Sequence, residues 1–131
     1  SGERRKVVSE AARVLKNGGH LIFTDPMQTD NCDESVLQPV YDRINLSSLG
    51  SPAFYKSACT EEGLKLMAFE ELSRHLVKHY SVVLEETEKN MDKLQGKVSE
   101  NYIQNMKKGL KHWIKGGKEG NLTWGIFHFC K

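Results

Sequence analysis

The chain has 131 residues, and 19 Lys and Arg against 17 Asp and Glu give it a formal net charge of +2. This length allows one domain with a sizeable core, and so small a charge does not favour nucleic acid as a partner. A hydrophobic fraction of 38% and a charged fraction of 27% are typical of a soluble globular protein. No apolar run approaches the roughly 20 residues that span a bilayer, so no membrane partner is expected.

Cysteine and histidine usage argues against a disulfide framework and against a metal site. Cys32, Cys59 and Cys130 are odd in number and widely spaced, which favours free thiols in a reducing, cytoplasmic compartment. His75 and His79 are four residues apart on a predicted helix, as in some metal-binding pairs. Because no third ligand is nearby, ordinary packing and surface roles are favoured, and no metal is expected.

The first predicted unit is a helix, a glycine turn and a buried strand. Apolar residues at helical spacing predict a helix over Glu3–Lys16, which Asn17-Gly18 would end. Leu21–Thr24 has no polar alternation, so it is interpreted as a parallel-sheet strand buried on both faces and closed by a turn at Asp25-Pro26. Ligands of such sheets bind beyond the carboxyl ends of the strands. Asp25, Pro26 and Met27 are therefore candidate site residues.

The remaining elements follow a helix-then-strand order that indicates an α/β fold. Helices are predicted over residues 36–44, from Ser51-Pro52 to Gly63, from Ser73 through Leu94, and from Ser99 to Gly116-Gly117. Strands are predicted over Leu64–Phe69 and Leu122–Phe129. The last two helices lie between these strands and are interpreted as an insertion that covers a site.

Known catalytic motifs are missing from the sequence. It has no phosphate-binding loop, no nucleophile elbow and no glycine-rich fingerprint after a strand. The glycines from Gly116 to Gly120 follow a helix, so they indicate a turn. No serine, cysteine or histidine has an evident partner, and no catalytic residue is assigned.

Aromatic and polar residues collect near the predicted strand ends. Aromatic faces attract quaternary ammonium groups, and an arginine can hold a carboxylate through two hydrogen bonds. Such a set would suit a small zwitterion such as a methylated amino acid. Core packing is the favoured role for each aromatic residue on an apolar helix face, namely Tyr41, Tyr80 and Trp113, and Arg43 beside Asp42 fits a surface ion pair. The set comprises Met27, Tyr41, Arg43, Tyr55, His79, Tyr80, Trp113 and Trp124.

Several long motifs resemble those of the sarcosine/dimethylglycine N-methyltransferases, the S-adenosylmethionine-dependent enzymes that complete glycine betaine synthesis. The resemblance covers essentially the whole chain, and the motifs agree in order and spacing. They are Phe23–Met27, Leu37–Ile44, Ser48–Ser51, His79-Tyr80, Asn105–Gly117 and Leu122–Gly125.

The resemblance implies the carboxyl-terminal part of a Rossmann-like class I methyltransferase sheet. Strands near residues 20–25, 64–70 and 122–130 would be its fifth, sixth and seventh, the last of them antiparallel. Residues 1–72 would belong to the methyltransferase core, residues 73–117 would form a helical lid over the substrate pocket, and residues 118–131 would contain the final core strand.

The resemblance also implies the substrate and the cofactor. Carried over by position, the amine-acid substrate would be lined by Asp25, Pro26, Met27, Tyr41, Arg43, His79, Tyr80 and Trp113. The S-adenosylmethionine site would lie mostly on an amino-terminal half that this sequence does not contain, so the chain alone would be inactive. The chemistry implied is direct displacement, in which the neutral amine attacks the methyl carbon.

A different class of function is a non-catalytic fragment or assembly module. A half-sheet would leave the apolar edge of Leu21–Thr24 unpaired, and such an edge invites another strand. The partner would be a separate amino-terminal half or another copy of the chain.

Overall fold

The computed structural model describes residues 2–131, and residue 1 lies outside the described part. In chain order the elements are α1 (Gly2–Val14), β1 (His20–Gln28), α2 (Gln38–Ile44), α3 (Pro52–Glu61), β2 (Lys65–Glu71), α4 (Ser73–Lys89), α5 (Met91–Leu94), α6 (Glu100–Lys118) and β3 (Leu122–Cys130). The predicted α/β class and the order of the elements are confirmed. Within residues 2–131, each helix is too short or too polar to cross a bilayer.

The three strands form one sheet in the order β1-β3-β2. Strand β3 lies in the middle and is antiparallel to both neighbours, so β1 and β2 are parallel to each other. The antiparallel final strand is therefore confirmed. Its register places Trp124 opposite Pro26 and Gly125 opposite Asp25.

The predicted end of the first strand is wrong. Strand β1 does not turn at Asp25-Pro26 but continues to Gln28, because β3 runs beside it and pairs with it along its full length. Pro26 is accommodated because β1 is an edge strand of this sheet, where a residue without an N–H is tolerated.

The two faces of the sheet differ, so the prediction that β1 is buried on both faces is also wrong. Alternate residues Leu21, Phe23 and Met27 pack into a core with α1, α3 and the rings of Phe127 and Phe129. The intervening residues point to the opposite face, which we call the open face. Ile22 lies there and is 64% exposed.

A second core joins α2, α4 and α6 to the start of β3. It contains the following buried residues of α2, α4, α6, β3 and the segment before α2: Leu37, Val40, Tyr41, Leu76, Trp113 and Leu122. This core fixes the position of α4 and α6 relative to the sheet.

The predicted helix starts at Ser51 and Ser99 are confirmed, and in both a serine side chain caps the helix. The hydroxyl oxygens of Ser51 and Ser99 accept the amides of Phe54 and Tyr102, as the predicted starts of α3 and α6 require. The long helix predicted through Leu94 instead stops at Lys89, and α5 is a separate turn.

The sequence had indicated that Gly116-Gly117 ends α6, and this prediction is wrong. Both glycines lie inside the helix, where they allow close packing. A Cβ at position 116 would meet the Leu122 side chain at 2.5 Å, and one at position 117 would meet Val77 at 2.6 Å. The left-handed residue that follows α6 is Gly120, with φ of +78°.

Candidate functional site

A cavity of about 560 Å³ opens beside the carboxyl end of β1, between the open face of the sheet and α4. We call it the α4 cavity. Three of the eight residues expected at the substrate site line it, namely Pro26, His79 and Tyr80. Its other walls come from α4 and β3: His75, Leu76, Lys78, Val82 and Trp124.

The first turn of α4 is anchored to the sheet, and this places the cavity residues. One carboxylate oxygen of Glu71 accepts the Ser73 amide at 2.8 Å and also the Ser73 hydroxyl. That hydroxyl lies 2.6 Å from the Thr123 hydroxyl, and the Leu72 amide donates to the Trp124 carbonyl at 2.7 Å. Since residues three and four apart share a helix face, His75, Lys78, His79 and Val82 then all face the cavity.

Aromatic rings of α4 and β3 also line the α4 cavity. Tyr80 stacks on Trp113 with ring centroids 5.0 Å apart, and His79 meets Tyr80 edge-on at 5.1 Å. The indole N–H of Trp124 donates to the Thr24 hydroxyl, which holds the indole against β1. Burial raises the pKa of Tyr80, so its hydroxyl stays neutral at physiological pH.

The charges of the cavity suit a zwitterion. Lys78, His75 and His79 are its basic side chains, and none of its lining residues is Asp or Glu. A carboxylate can therefore bind on the α4 side, while a methylated ammonium group can lie on an aromatic face.

Asp25 lies on the opposite face of β1 from Pro26, because successive residues of a strand point to opposite sides. Its carboxylate accepts the Tyr55 hydroxyl at 2.6 Å, and partial burial raises its pKa. Arg4 is close enough to oppose that shift in pKa and donates to the Ser48 carbonyl at 3.0 Å. Asp25 thus contacts the α1 and α3 side of the sheet, away from the α4 cavity.

Met27, Tyr41 and Trp113 are buried, and none of them lines the cavity. Met27 is fully buried in the first core, and Tyr41 is only 2% exposed. The Tyr41 hydroxyl donates to Gln28 Oε1 at 2.7 Å, and the same oxygen accepts the Leu49 amide at 3.1 Å. Burial raises the pKa of Tyr41 to about 12. Trp113 supports the cavity by stacking behind Tyr80.

Arg43 lies in a separate groove between α2 and α6, not in the α4 cavity. Conversely, His75, Lys78 and Trp124 line the cavity but are not among the eight residues expected at the substrate site, although Trp124 belongs to the wider aromatic and polar set. A signal existed for two of them. His75 is one helical turn before His79, and Trp124 is opposite Pro26 once β3 is antiparallel to β1.

The described residues include no glycine-rich loop of the kind that holds an adenosyl cofactor. Such a cofactor is held by a glycine-rich loop that follows a strand and opens a helix. Gly18, Gly63 and Gly120, which have positive φ, instead follow helices and precede strands. Within residues 2–131 there is also no group of three His, Cys, Asp or Glu side chains that could hold a metal ion.

Curated relatives match the chain over its whole length, although no protein-family model matches it. It is 54% identical to a sarcosine/dimethylglycine N-methyltransferase of Aphanothece halophytica and 48% identical to one of Halorhodospira halochloris. It is 40% identical to a dimethylglycine N-methyltransferase of Parasynechococcus marenigrum. The chain spans 47% of each relative and corresponds to the carboxyl-terminal half.

Solved structures confirm the predicted fold. The structure of a protein from Galdieria sulphuraria, described as a sarcosine dimethylglycine methyltransferase, superposes with a TM-score of 0.95 at 43% identity and covers all of this chain and 48% of that one. A Haemonchus contortus phosphoethanolamine N-methyltransferase solved with S-adenosylmethionine gives 0.84 at 17% identity, covering 97% of this chain and 29% of that one. The fold is the carboxyl-terminal part of a class I methyltransferase sheet.

Proposed function

We propose, on the premise that this chain belongs to the sarcosine/dimethylglycine N-methyltransferase family as its carboxyl-terminal half, that the full-length protein methylates sarcosine and dimethylglycine to glycine betaine. The observation that carries the proposal is the match of all 131 residues, at 54% identity, to a relative of that name. The product would serve as an osmoprotectant made in the cytoplasm.

The α4 cavity is the proposed site of the amine acid. Its walls combine aromatic surface, from Tyr80 on α4 and Trp124 on β3, with the basic side chains Lys78, His75 and His79 of α4. An amine that gains positive charge as it is methylated is stabilised by an aromatic face. The substrate carboxylate would be held by Lys78, with His75 and His79 beside it, so that the nitrogen lies at the Pro26 and Trp124 end.

The eight residues expected from the sequence then take different proposed roles. Pro26, His79 and Tyr80 would contact the substrate directly. Trp113, Met27 and Tyr41 would hold the walls from behind, and Asp25 would fix the end of β1 through Tyr55. Lys78, and not Arg43, is proposed to hold the substrate carboxylate, because Lys78 lines the α4 cavity and Arg43 lines a different groove.

The chain's contribution to the reaction would be orientation and not proton transfer. Holding a neutral amine in a fixed position replaces a bimolecular encounter with an intramolecular one. The methyl group would come from S-adenosylmethionine bound by residues outside this chain, in the half that the relatives have in addition. The chain by itself would therefore be inactive, and the helices between β2 and β3 would form the lid.

The full-length protein should be tested with methyl-labelled S-adenosylmethionine and with glycine, sarcosine and dimethylglycine as separate acceptors. We expect label in dimethylglycine and glycine betaine from the last two acceptors. Transfer to neither sarcosine nor dimethylglycine by a folded, S-adenosylmethionine-binding protein would overturn the proposal.

A second candidate function, a non-catalytic assembly module, rests on the outer edge of β1. Within the described residues that edge has no strand partner, and Ile22 beside it is 64% exposed. We propose that the other half of the full-length protein covers this edge, with a second copy as the alternative. Sedimentation would distinguish the two. The assembly module requires full-length protein that dimerises with rising concentration and transfers no methyl group.

A further inference from the structure

A second cavity, of about 360 Å³, lies between α2 and α6 and shares no lining residue with the α4 cavity. We call it the α2–α6 groove. Its walls carry three groups that hold or can hold a positive charge, those of Arg43, Lys108 and His112. Its remaining lining residues are Pro39, Asp42, Asn105 and Gly109.

A glycine inside α6 lets the Arg43 side chain cross the helix. A Cβ at position 109 would overlap the Cδ and Nε atoms of Arg43, so only glycine permits this approach. Glycine in a helix interior is destabilising relative to alanine. The close passage of Arg43 is the structural feature that this glycine permits, and Arg43 lines the groove together with Lys108 and His112.

The basic groups of the groove are not neutralised by the protein. Within residues 2–131, Arg43 and Lys108 have no carboxylate oxygen within the 4.0 Å of a salt bridge, whereas the neighbouring Lys107 pairs with Glu88 at 3.7 Å. The ion pair considered between Arg43 and Asp42 does not form. Asp42 instead accepts the Gln38 side-chain amide at 2.7 Å.

We propose that the α2–α6 groove binds a phosphate group. Arginine offers a planar fork that donates two hydrogen bonds to an oxyanion, and lysine adds a point charge. Asn105 supplies a neutral amide donor on the same wall. Asp42 reduces the net positive charge of the groove, which favours one phosphate group over a long polyanion.

The experiment is a calorimetric titration of the full-length protein with inorganic phosphate, with sodium chloride exchanged so that the ionic strength stays constant. We expect saturable binding with one phosphate per chain. Arg43→Gln should raise the dissociation constant about tenfold, as expected for the loss of hydrogen bonds to a charged group. Lys108→Gln should raise it severalfold. A parallel titration with adenosine monophosphate distinguishes a free ion from the phosphate of a nucleotide, and Arg43→Gln should weaken whichever binds.

Lys111→Gln is the matched control, because Lys111 is an exposed lysine of the same helix that does not line the groove. It removes the same charge and should leave the dissociation constant unchanged. Gly109→Ala should weaken binding by displacing Arg43, with the charge of the groove intact. Equal weakening by Lys111→Gln and Arg43→Gln, or no binding of either ligand by the folded wild-type protein, would overturn the proposal.

Discussion

Tyr80 on α4 stacks against Trp113 on α6, with ring centroids 5.0 Å apart and an angle of 29° between the ring planes. One face of the tyrosine therefore supports the α4 cavity, and the indole behind it belongs to the second core. Helices α4 and α6 are therefore joined at the cavity wall, and the shape of the cavity depends on the core.

Trp113→Ala should lower both stability and substrate affinity. Trp113 is 8% exposed, and truncating a buried tryptophan to alanine typically costs about 3–5 kcal/mol. Urea denaturation of the full-length protein measures the loss, and Trp113→Phe, which keeps a ring against Tyr80, should lose much less. A loss of under about 1 kcal/mol for Trp113→Ala would contradict this account of the wall.

Met27→Arg should abolish activity on dimethylglycine and lower the melting temperature of the protein. Met27 is fully buried with Tyr55 and Phe127, and an unpaired charge in such a core is strongly destabilising. Met27→Leu has a similar volume and should retain both properties. Wild-type activity and melting temperature in Met27→Arg would show that this part of β1 does not support the site.

Tyr41→Phe should change how stability depends on pH. The pKa of Tyr41 is raised from 10.0 to about 12, so its contribution to stability is complete below pH 10.0 and is lost as the pH rises through about 12. At neutral pH the free energy of unfolding of the variant should be about 1 kcal/mol lower, because the hydrogen bond to Gln28 is absent. Between pH 10.0 and about pH 12 this free energy should fall less in the variant than in the wild type. Denaturation at about pH 8 and about pH 11 measures this. Parallel pH curves for variant and wild type would contradict it.

The chain alone should not bind S-adenosylhomocysteine. Its glycines of positive φ follow helices, so the described residues offer no loop for the adenosyl group. Calorimetric titration of the isolated chain should give no heat of binding, while the full-length protein binds one molecule per chain. Stoichiometric binding by the isolated chain would show that it rebuilds a cofactor site, and the proposal that the other half carries that site would fail.

The sequence predicted elements whose signals are local. The cap at Ser51, the cap at Ser99 and the apolar run of β3 depend on neighbours in the chain, and all three are confirmed. The antiparallel final strand was expected only through the family resemblance. Composition and periodicity alone do not indicate strand order.

What the sequence did not show depends on contacts between distant residues. Strand β1 extends through Pro26 because β3 pairs with it, and Gly116 lies inside α6, where it leaves room for Leu122. Pairing with β3 also makes Asp25 and Pro26 adjacent residues of one strand, so their side chains do not belong to one site. As a predicted loop they would face one site, but as adjacent strand residues they face opposite sides of the sheet.

The central claim is that the α4 cavity binds the amine acid, and Trp124 tests it most directly, since its indole faces the cavity and a hydrogen bond to Thr24 holds it. The measurement is KM for dimethylglycine and the dissociation constant for S-adenosylhomocysteine in full-length wild type, Trp124→Ala and Trp124→Phe. The account predicts that Trp124→Ala raises KM by about tenfold or more, as expected for a lost cation–π contact of about 1–2 kcal/mol. Trp124→Phe should raise KM less, because it keeps an aromatic ring. Neither variant should change the dissociation constant for S-adenosylhomocysteine. An unchanged KM in Trp124→Ala would contradict the claim and place the amine elsewhere.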